Sequence, residues 1–273
     1  MARQSERLLS LMQRLRLLHL PACYEQLADT AAQREQPYLE FLENVLEAES
    51  QAKFERNVRL KTLWANFPFQ KRLDQFDFTF QPSIDERKIR ELAGLRFLEN
   101  QENVILLGPP GVGKTHLAIA LGLEAILKEQ STYFITLPDL VAQLAQARHE
   151  NRLKEKMATF VKKAKLLILD EIGYLPVDSF AATCLFQIVS ERYEHGSIVL
   201  TSNKSYGDWG EIFHDNALAT AVLDRLLHHS HTINIKGDSY RLKEKRKAGL
   251  LAKTTTAPSP AMAEEIKGSK ETK

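Results

Sequence analysis

Gly108-Pro109-Pro110-Gly111-Val112-Gly113-Lys114-Thr115 is the stretch of sequence that decides the fold of this chain. It satisfies the pattern G-x-x-x-x-G-K-[ST], in which glycines let successive backbone N–H groups surround a phosphate chain without Cβ collisions. In such a loop the lysine reaches the β- and γ-phosphates of a nucleotide, and the threonine hydroxyl binds Mg²⁺. The stretch therefore predicts a site for ATP and Mg²⁺, with Lys114 and Thr115 in these two roles.

The residues on either side of the loop predict a strand before it and a helix after it. Residues 103–107 form a short apolar run typical of a buried strand, and residues 115–129 have a helical pattern. The amino end of that helix would direct its partial positive charge at bound phosphates. His116, in the first helical turn, either contacts a phosphate or is simply exposed at the start of the helix. The alternative for the whole stretch is a chance Gly/Pro-rich turn.

Further strands are expected downstream, separated by helical segments. The nearly continuous apolar runs predict a five-stranded parallel sheet covered by helices on both faces, an α/β fold. Ligands of such sheets bind at the carboxyl ends of the strands, which is where the phosphate-binding loop lies. The four additional strand candidates are residues 132–137, 165–170, 197–202 and 232–236.

The third strand candidate ends in two carboxylates. Residues 166–169 are apolar and are followed by Asp170 and Glu171. Beside a phosphate-binding loop, this arrangement predicts that Asp170 holds Mg²⁺ and that Glu171 orients and polarises an attacking water. The alternative is an acidic pair that caps a helix. A second acid favours ATP hydrolysis over phosphoryl transfer to a small molecule, which needs no such glutamate.

A polar side chain at the end of the fourth strand is a further candidate. Thr201-Ser202-Asn203 closes that strand, and a polar side chain at this tip could contact both the γ-phosphate and the attacking water. The alternative is an ordinary turn, because Ser-Asn-Lys-Ser also favours turns.

The chain divides into four regions. Residues 1–65 have helical periodicity and predict a small all-helical N-terminal domain. Residues 66–82 contain prolines and a cluster of phenylalanines, and we expect a linker that packs on the following domain. Residues 83–251 hold the alternating strands and helices of an ATPase domain. Residues 252–273 are Thr-, Pro-, Glu- and Lys-rich and predict a disordered tail.

Composition excludes several classes of protein. The 273 residues are 44% hydrophobic, with a formal charge of only +2, so any basic surface for nucleic acid must be local. Cys23 and Cys184 match no metal or redox spacing and indicate buried thiols in a reducing compartment. No signal peptide and no membrane span are evident. We therefore expect a cytoplasmic protein that does not interact with membranes.

Several motifs in a fixed order resemble those of IstB-type AAA+ ATPases, the helper proteins encoded beside the transposase in a class of bacterial insertion sequences. The chain is more distantly similar to the helicase loaders DnaC and DnaI. The resemblance covers residues 5–250. Besides the loop with its following histidine, it is carried by Leu169-Asp-Glu-Ile-Gly-Tyr-Leu-Pro176, Leu200-Thr-Ser-Asn-Lys-Ser205, Asp224-Arg-Leu-Leu227 and Gly237-Asp-Ser-Tyr-Arg241.

The resemblance implies roles for further residues of an AAA+ P-loop domain. Asn203 falls at the sensor-1 position, and Arg225 falls where the family has an arginine finger that completes the site of a neighbouring subunit. Arg241 resembles a sensor-2 arginine, although too little sequence follows it for a full helical lid. Phe78, within Phe76-Asp77-Phe78, lies where related ATPases line the adenine pocket. Packing of both phenylalanines into the core is the alternative.

The resemblance also implies partners: double-stranded DNA, further copies of the chain, and a transposase. A replicative helicase is the alternative partner of a helicase loader. Arg152, Lys154 and Lys156 lie in a basic stretch between the second and third strands, and we expect them to contact DNA phosphates without base specificity. A solvated helix face is the alternative. His228, His229 and His231 lack a fourth ligand or a nearby cysteine, which favours ordinary polar histidines over a metal site.

Overall fold

The computed structural model describes residues 2–174 and 177–247, and a five-stranded sheet lies at its centre. All neighbouring strands are parallel, in the order β2-β3-β4-β1-β5. The inner strands β1 and β4 are buried along their whole length, as the apolar runs predict. The strands are β1 Asn103–Leu107, β2 Thr132–Thr136, β3 Leu166–Ile172, β4 Ser197–Ser202 and β5 Ser230–Asn234.

The expected α/β fold with a five-stranded parallel sheet is confirmed, and three strands differ in their bounds. β2 ends one residue before the end of the expected 132–137, and β3 runs from Leu166 to Ile172 instead of over 165–170. The strand expected at residues 232–236 occupies Ser230–Asn234 instead. Its register explains the difference, because Ser230 pairs with Asn103 and Asn234 pairs with Leu107. The length of β1 therefore sets the length of β5, which its own apolar pattern did not reveal.

Helices cover both faces of the sheet and create two separate hydrophobic cores. The first face carries α4, α5 and α6, whose apolar side chains surround Phe97 and Leu117. The second face carries α7 to α11 and surrounds Phe160 and Trp209. The helices are α4 Glu86–Ala93, α5 Arg96–Glu99, α6 Lys114–Leu127, α7 Leu137–His149, α8 Leu153–Ala158, α9 Ser179–Arg192, α10 Trp209–Phe213 and α11 Asn216–His228.

A buried arginine joins the edge of the second face to the sheet. The guanidinium of Arg192, 1% exposed, donates to the carbonyl oxygens of Phe160, Ala164 and Ser197 at 2.7–2.8 Å. These carbonyls belong to the π-helical turn Thr159–Lys163, the residue after it, and the start of β4. Burial lowers the pKa of Arg192 to about 10, which leaves the side chain charged at neutral pH.

Three helices form the N-terminal region: α1 Ala2–Arg14, α2 Tyr24–Gln33 and α3 Tyr38–Trp64. Their arrangement depends on Glu49, which lies on α3 and is 6% exposed. Its carboxylate accepts the backbone N–H groups of Leu18, His19 and Leu20 at 2.9 Å each. A charged acceptor satisfies the donors of this tight connection, so the segment after α1 is held against α3. Nearby, Cys23 is only half-buried, whereas Cys184 of α9 is buried, and both thiols are free.

The end of α3 covers the edge of the sheet. The backbone N–H of Phe134 in β2 donates to the carbonyl of Ala65 at 2.8 Å, and the Asn66 amide donates to the carbonyl of Phe134 at 3.3 Å. The ring of Trp64 lies 5.2 Å from that of Tyr133. Because β2 is an edge strand, these contacts protect backbone groups that would otherwise be free to pair with another chain.

The segment after α3 lies along the first face of the sheet. Leu73 and Ile84 are buried there, and the ring of Phe67 contacts that of Phe134. Beyond β5, the described chain continues into α12, Tyr240–Lys247. Any part of the expected reduced lid beyond Lys247 lies outside the described residues. The tail expected at residues 252–273 lies outside the described residues. Among residues 2–174 and 177–247, no helix combines the length and the apolar character needed to cross a membrane.

Candidate nucleotide site

The phosphate-binding loop connects the end of β1 to the start of α6, as its sequence predicts. Gly111 and Gly113 have φ angles of +82° and +101°, which favour glycine because a Cβ is strained there. Both also have close neighbours. A Cβ on Gly113 would lie 2.6 Å from the ring of Phe76, and one on Gly111 would collide with Ser239. The loop is therefore held between a residue preceding the sheet and a residue following it.

Lys114 lies inside this loop. Its side chain is 6% exposed, and its Nζ donates to the carbonyl oxygens of Gly108 at 2.7 Å and Pro109 at 2.8 Å. Burial lowers the pKa of Lys114 to about 8; Asp170 opposes this shift and Arg241 adds to it. A negative charge bound beside Lys114 would therefore stabilise its ammonium group.

Asp170 and two hydroxyl groups form a compact cluster of oxygens at the base of the cavity. Asp170 is 3% exposed, and its carboxylate accepts the hydroxyl proton of Thr115, with oxygens at 3.0 and 3.1 Å. The hydroxyl of Thr201 donates to the same carboxylate. Carboxylate and hydroxyl oxygens are the donors that Mg²⁺ prefers, so Thr115 and Asp170 fit the ion expected from the sequence.

Glu171 lines the same cavity because β3 is irregular at this point. The register between β3 and β4 shifts between Leu169 and Ile172, and Glu171 has a φ of +64°. A bulge of this kind redirects a side chain relative to its neighbours in the strand. The backbone N–H of Glu171 donates to the hydroxyl of Thr201 at 3.1 Å, which fixes the bulge.

Thr201 is a site residue that sequence reasoning missed, since it singled out Asn203. Thr201 lines the cavity and touches both acidic residues, whereas Asn203 does not line it. From sequence, Thr201 belongs to the polar end of β4 but cannot be distinguished from Asn203. In the structure it pairs with Leu106 of β1, and β3 runs along its other side. Within the described residues, the buried Oδ1 of Asn203 has no hydrogen-bond partner and lies close to Gly173.

The remaining walls of the cavity are aromatic and basic. Its volume is about 240 Å³, and Phe76 forms part of the wall beside Gly113. Phe78, which was expected in this role, does not line the cavity; its ring lies 4.8 Å from that of Phe76. A flat apolar side chain beside a phosphate-binding loop offers a surface on which a nucleotide base can stack.

His116 lines the cavity and is tied to the segment before the sheet. Its Nε2 donates to the carbonyl of Arg72 at 2.9 Å, and its ring contacts Phe76. Burial lowers the pKa of His116, although the hydrogen bond to Arg72 opposes the shift. The histidine is therefore neutral at neutral pH and is already occupied by a backbone carbonyl.

Arg241 reaches the cavity from the opposite end of the chain. It belongs to the first turn of α12 and lines the cavity together with Tyr240. The backbone N–H of Tyr240 donates to the carbonyl of Gly111 at 2.9 Å. The structure thus places Arg241 beside the phosphate-binding loop.

Arg225 lies near the amino end of β1, whereas the phosphate-binding loop lies at its carboxyl end. Its guanidinium donates to the carbonyl of Ala221 at 3.0 Å and rests on the ring of Phe186 at 4.8 Å. The adjacent Leu226 accepts a hydrogen bond from Asn103, the first residue of β1. The phosphate-binding loop follows the last residue of β1, roughly 16 Å away along a five-residue strand. Arg225 is therefore not part of the cavity that this chain forms.

The three residues expected to contact DNA lie on or beside α8. Arg152 pairs with Glu155 at 3.1 Å and with Glu150 at 3.6 Å. Lys156 lies over the ring of Phe160, and Lys154 is exposed. The charge of Arg152 is thus partly balanced within the chain, while that of Lys154 faces solvent.

The histidines near residue 230 separate in the structure. His231 pairs with Glu102 at 2.8 Å. His228 and His229 have Glu194 as a third neighbour, with candidate ligand atoms within 4.8 Å of one another and all three side chains exposed. Sequence reasoning had found no further ligand near the histidines; Glu194 comes from the loop after α9.

Comparison with solved structures supports the AAA+ P-loop fold. AMPPCP-bound DnaA from Aquifex aeolicus matches 69% of this chain and 59% of its own length, with 19% identity and a TM-score of 0.52. DnaI matches 60% of this chain and 90% of its own length, with 22% identity and a TM-score of 0.50. At these identities the likeness concerns the fold alone.

Sequence comparison is more specific. The ATP-binding protein of insertion sequence IS21 from Pseudomonas aeruginosa is 54% identical over 246 residues, which cover 90% of this chain and 92% of that protein. The corresponding protein of IS5376 from Geobacillus stearothermophilus is 53% identical over 232 residues, covering 84% and 92%. The family model described as IstB-like ATP binding protein matches residues 10–248. The chain therefore belongs to the family of IstB-like ATP-binding proteins.

Proposed function

We propose that this chain is an ATPase that assists transposition, assembles on duplex DNA in its ATP-bound state and acts on a transposase. The observation that carries the enzymatic part is the bulge at Glu171, because it directs a second carboxylate into the cavity beside the carboxylate of Asp170. The insertion-sequence relatives support the transposition context. A helicase loader would share the ATPase site and recruit a different partner.

Each residue of the cavity has a distinct part in the proposed reaction. Lys114 would exchange its bonds to the loop carbonyls for the β- and γ-phosphates. Thr115 and Asp170 would hold Mg²⁺, which would neutralise phosphate charge. Glu171 accepts a proton from the attacking water and orients it. Arg241 adds positive charge at the phosphates.

Arg225 gives the proposed assembly its geometry. It lies near the amino end of β1, while the nucleotide cavity lies at the carboxyl end. In the side-by-side arrangement that we propose, Arg225 would reach the cavity of the next subunit. A guanidinium near the γ-phosphate stabilises the charge of the transition state. Head-to-tail contacts of this kind either close into a ring or continue as a helix. Hydrolysis would then be coupled to assembly.

DNA binding is proposed for the surface around α8. Lys154 is exposed and Lys156 half-exposed, and contacts of lysine to phosphates require no base sequence. Arg152 contributes less than a free arginine because Glu155 and Glu150 already engage it. An assembled array would repeat this surface along a duplex.

Replacement of Glu171 by Gln should separate binding from hydrolysis. The amide keeps the shape of the side chain but cannot accept the proton, so kcat should fall at least about 100-fold while ATP affinity is retained. The variant should also remain assembled on duplex DNA with ATP, as measured by sedimentation. Glu91→Gln, an exposed carboxylate on α4, is the matched control. Unchanged turnover, or loss of assembly, would refute the role of Glu171.

ATP affinity should depend on pH above about 8. Lys114 has a pKa of about 8 in the free cavity, and bound phosphates would raise it. The affinity for ATP is therefore highest below pH 8. It falls as the pH rises from 8 through the pKa of the bound state, by up to about tenfold per pH unit. Lys114→Arg, which stays charged, should flatten this profile of Kd between pH 7 and 9.5. A wild-type Kd that is constant over this range would contradict the assignment.

Charge removal at α8 should weaken DNA binding and its salt dependence together. A variant with Arg152, Lys154 and Lys156 replaced by Gln should lower the slope of log affinity against log salt by up to about 0.9 for each DNA phosphate that is no longer neutralised. Arg87, Lys88 and Arg90 on α4 provide a matched triple variant, since Arg90 pairs with Glu86 as Arg152 pairs with Glu155. Equal effects of the two variants would rule out a specific role for α8.

A further inference from the structure

We propose that Lys243 is a positioning residue that holds Arg241 over the phosphate-binding loop by fastening α12 to the segment that precedes the sheet. The inference rests on the proposed binding of ATP in this cavity. Residues 77–83 form one side of this contact and residues 236–243 form the other, and we call it the clasp. It joins parts of the chain more than 150 residues apart in sequence.

Lys243 lies at the centre of the clasp. Its Nζ is 4.0 Å from the centre of the Phe80 ring and 3.6 Å from a carboxylate oxygen of Asp77. Its stem is partly covered, with the side chain 32% exposed, so both interactions are shielded from water more than a typical surface pair. Hydrogen bonds from Thr79 and from the backbone of Phe80 hold Asp77 in place and lower its pKa, so it is ionised at neutral pH.

Two hydrogen bonds between side chains and the backbone support the same contact. The amide of Gln81, which is 1% exposed, donates to the carbonyl of Asp238 at 2.9 Å. The backbone N–H of Lys236 donates to the hydroxyl of Ser83 at 2.9 Å. The rings of Phe80 and Tyr240 meet edge to face at 5.3 Å. These contacts bring the start of α12 to the segment before the sheet.

The position of α12 matters because the helix cannot order itself. It has eight described residues, and helices of this length are unstable in water without tertiary contacts. Arg241 and Lys243 are two residues apart and therefore face different sides of the helix. Lys243 faces the clasp, while Arg241 lines the nucleotide cavity. Anchoring one side of α12 thus presents the other side to the phosphates.

Removal of the Lys243 ammonium group should lower the fraction of molecules in which Arg241 is in place. The apparent ATP affinity falls in proportion to that fraction. The interactions of one ammonium group with a ring and a carboxylate are modest, so the expected decrease is about fivefold. Arg241→Gln removes the charge itself and should have at least the same effect.

The test compares Lys243→Met, Lys243→Arg, Arg241→Gln and the double variant Arg241→Gln/Lys243→Met in the full chain. Equilibrium ATP binding should weaken in Lys243→Met, recover in Lys243→Arg, and be no weaker in the double variant than in Arg241→Gln alone. Lys236→Met is the control, because it changes an exposed lysine side chain of the same segment and leaves the hydrogen bond from the Lys236 backbone to Ser83 in place. Wild-type affinity in Lys243→Met, or additive decreases in the double variant, would overturn the inference.

Amide hydrogen exchange gives a second readout that needs no nucleotide. The N–H of Tyr240, which donates to Gly111, should exchange faster in Lys243→Met and at the wild-type rate in Arg241→Gln. Unchanged exchange in Lys243→Met would refute the anchoring role. Failure of the wild-type chain to bind ATP would instead refute the proposed function, and the exchange result would still show whether the clasp positions α12.

Discussion

The hydroxyl of Thr201 donates to Asp170 and accepts the backbone N–H of Glu171, and the geometry of the site depends on this pair of hydrogen bonds. These hydrogen bonds fix the bulge that turns Glu171 toward the cavity. Asp170 meanwhile accepts a hydrogen bond from Thr115. A carboxylate for the metal and a carboxylate for the water can thus come from adjacent residues. In a regular strand, adjacent side chains would point to opposite faces of the sheet.

Much of the fold and part of the site follow from local sequence. The phosphate-binding loop is a continuous motif, and the apolar runs of β1 to β4 identify buried parallel strands. Features that depend on strand register or on contacts between distant residues could not be predicted from local sequence. The bounds of β5 follow from pairing with β1, and Thr201 became visible only beside β3. Phe76 lines the cavity and Phe78 does not. The spacing of residues in an irregular segment does not reveal which of two neighbouring side chains faces a surface, so the sequence could not distinguish them.

The cavity collects residues from both sides of the ATPase fold. Phe76 precedes the sheet, whereas Arg241 follows it, and the clasp around Lys243 joins these two segments. Arg225 does not line this cavity, because it lies near the amino end of β1 and rests on the ring of Phe186. We therefore propose that each cavity is half of a complete site and that a neighbouring subunit supplies the other half. ATP turnover would then depend on assembly.

Mixing two inactive variants tests this claim most directly. Arg225→Ala subunits retain Glu171, and Glu171→Gln subunits retain Arg225, so an interface between the two types can combine both groups in one site. We predict negligible ATP hydrolysis for each variant alone and a substantial rate when they are mixed on duplex DNA. A mixture that remains as inactive as its components, although both variants bind ATP and assemble, would contradict a site shared between subunits.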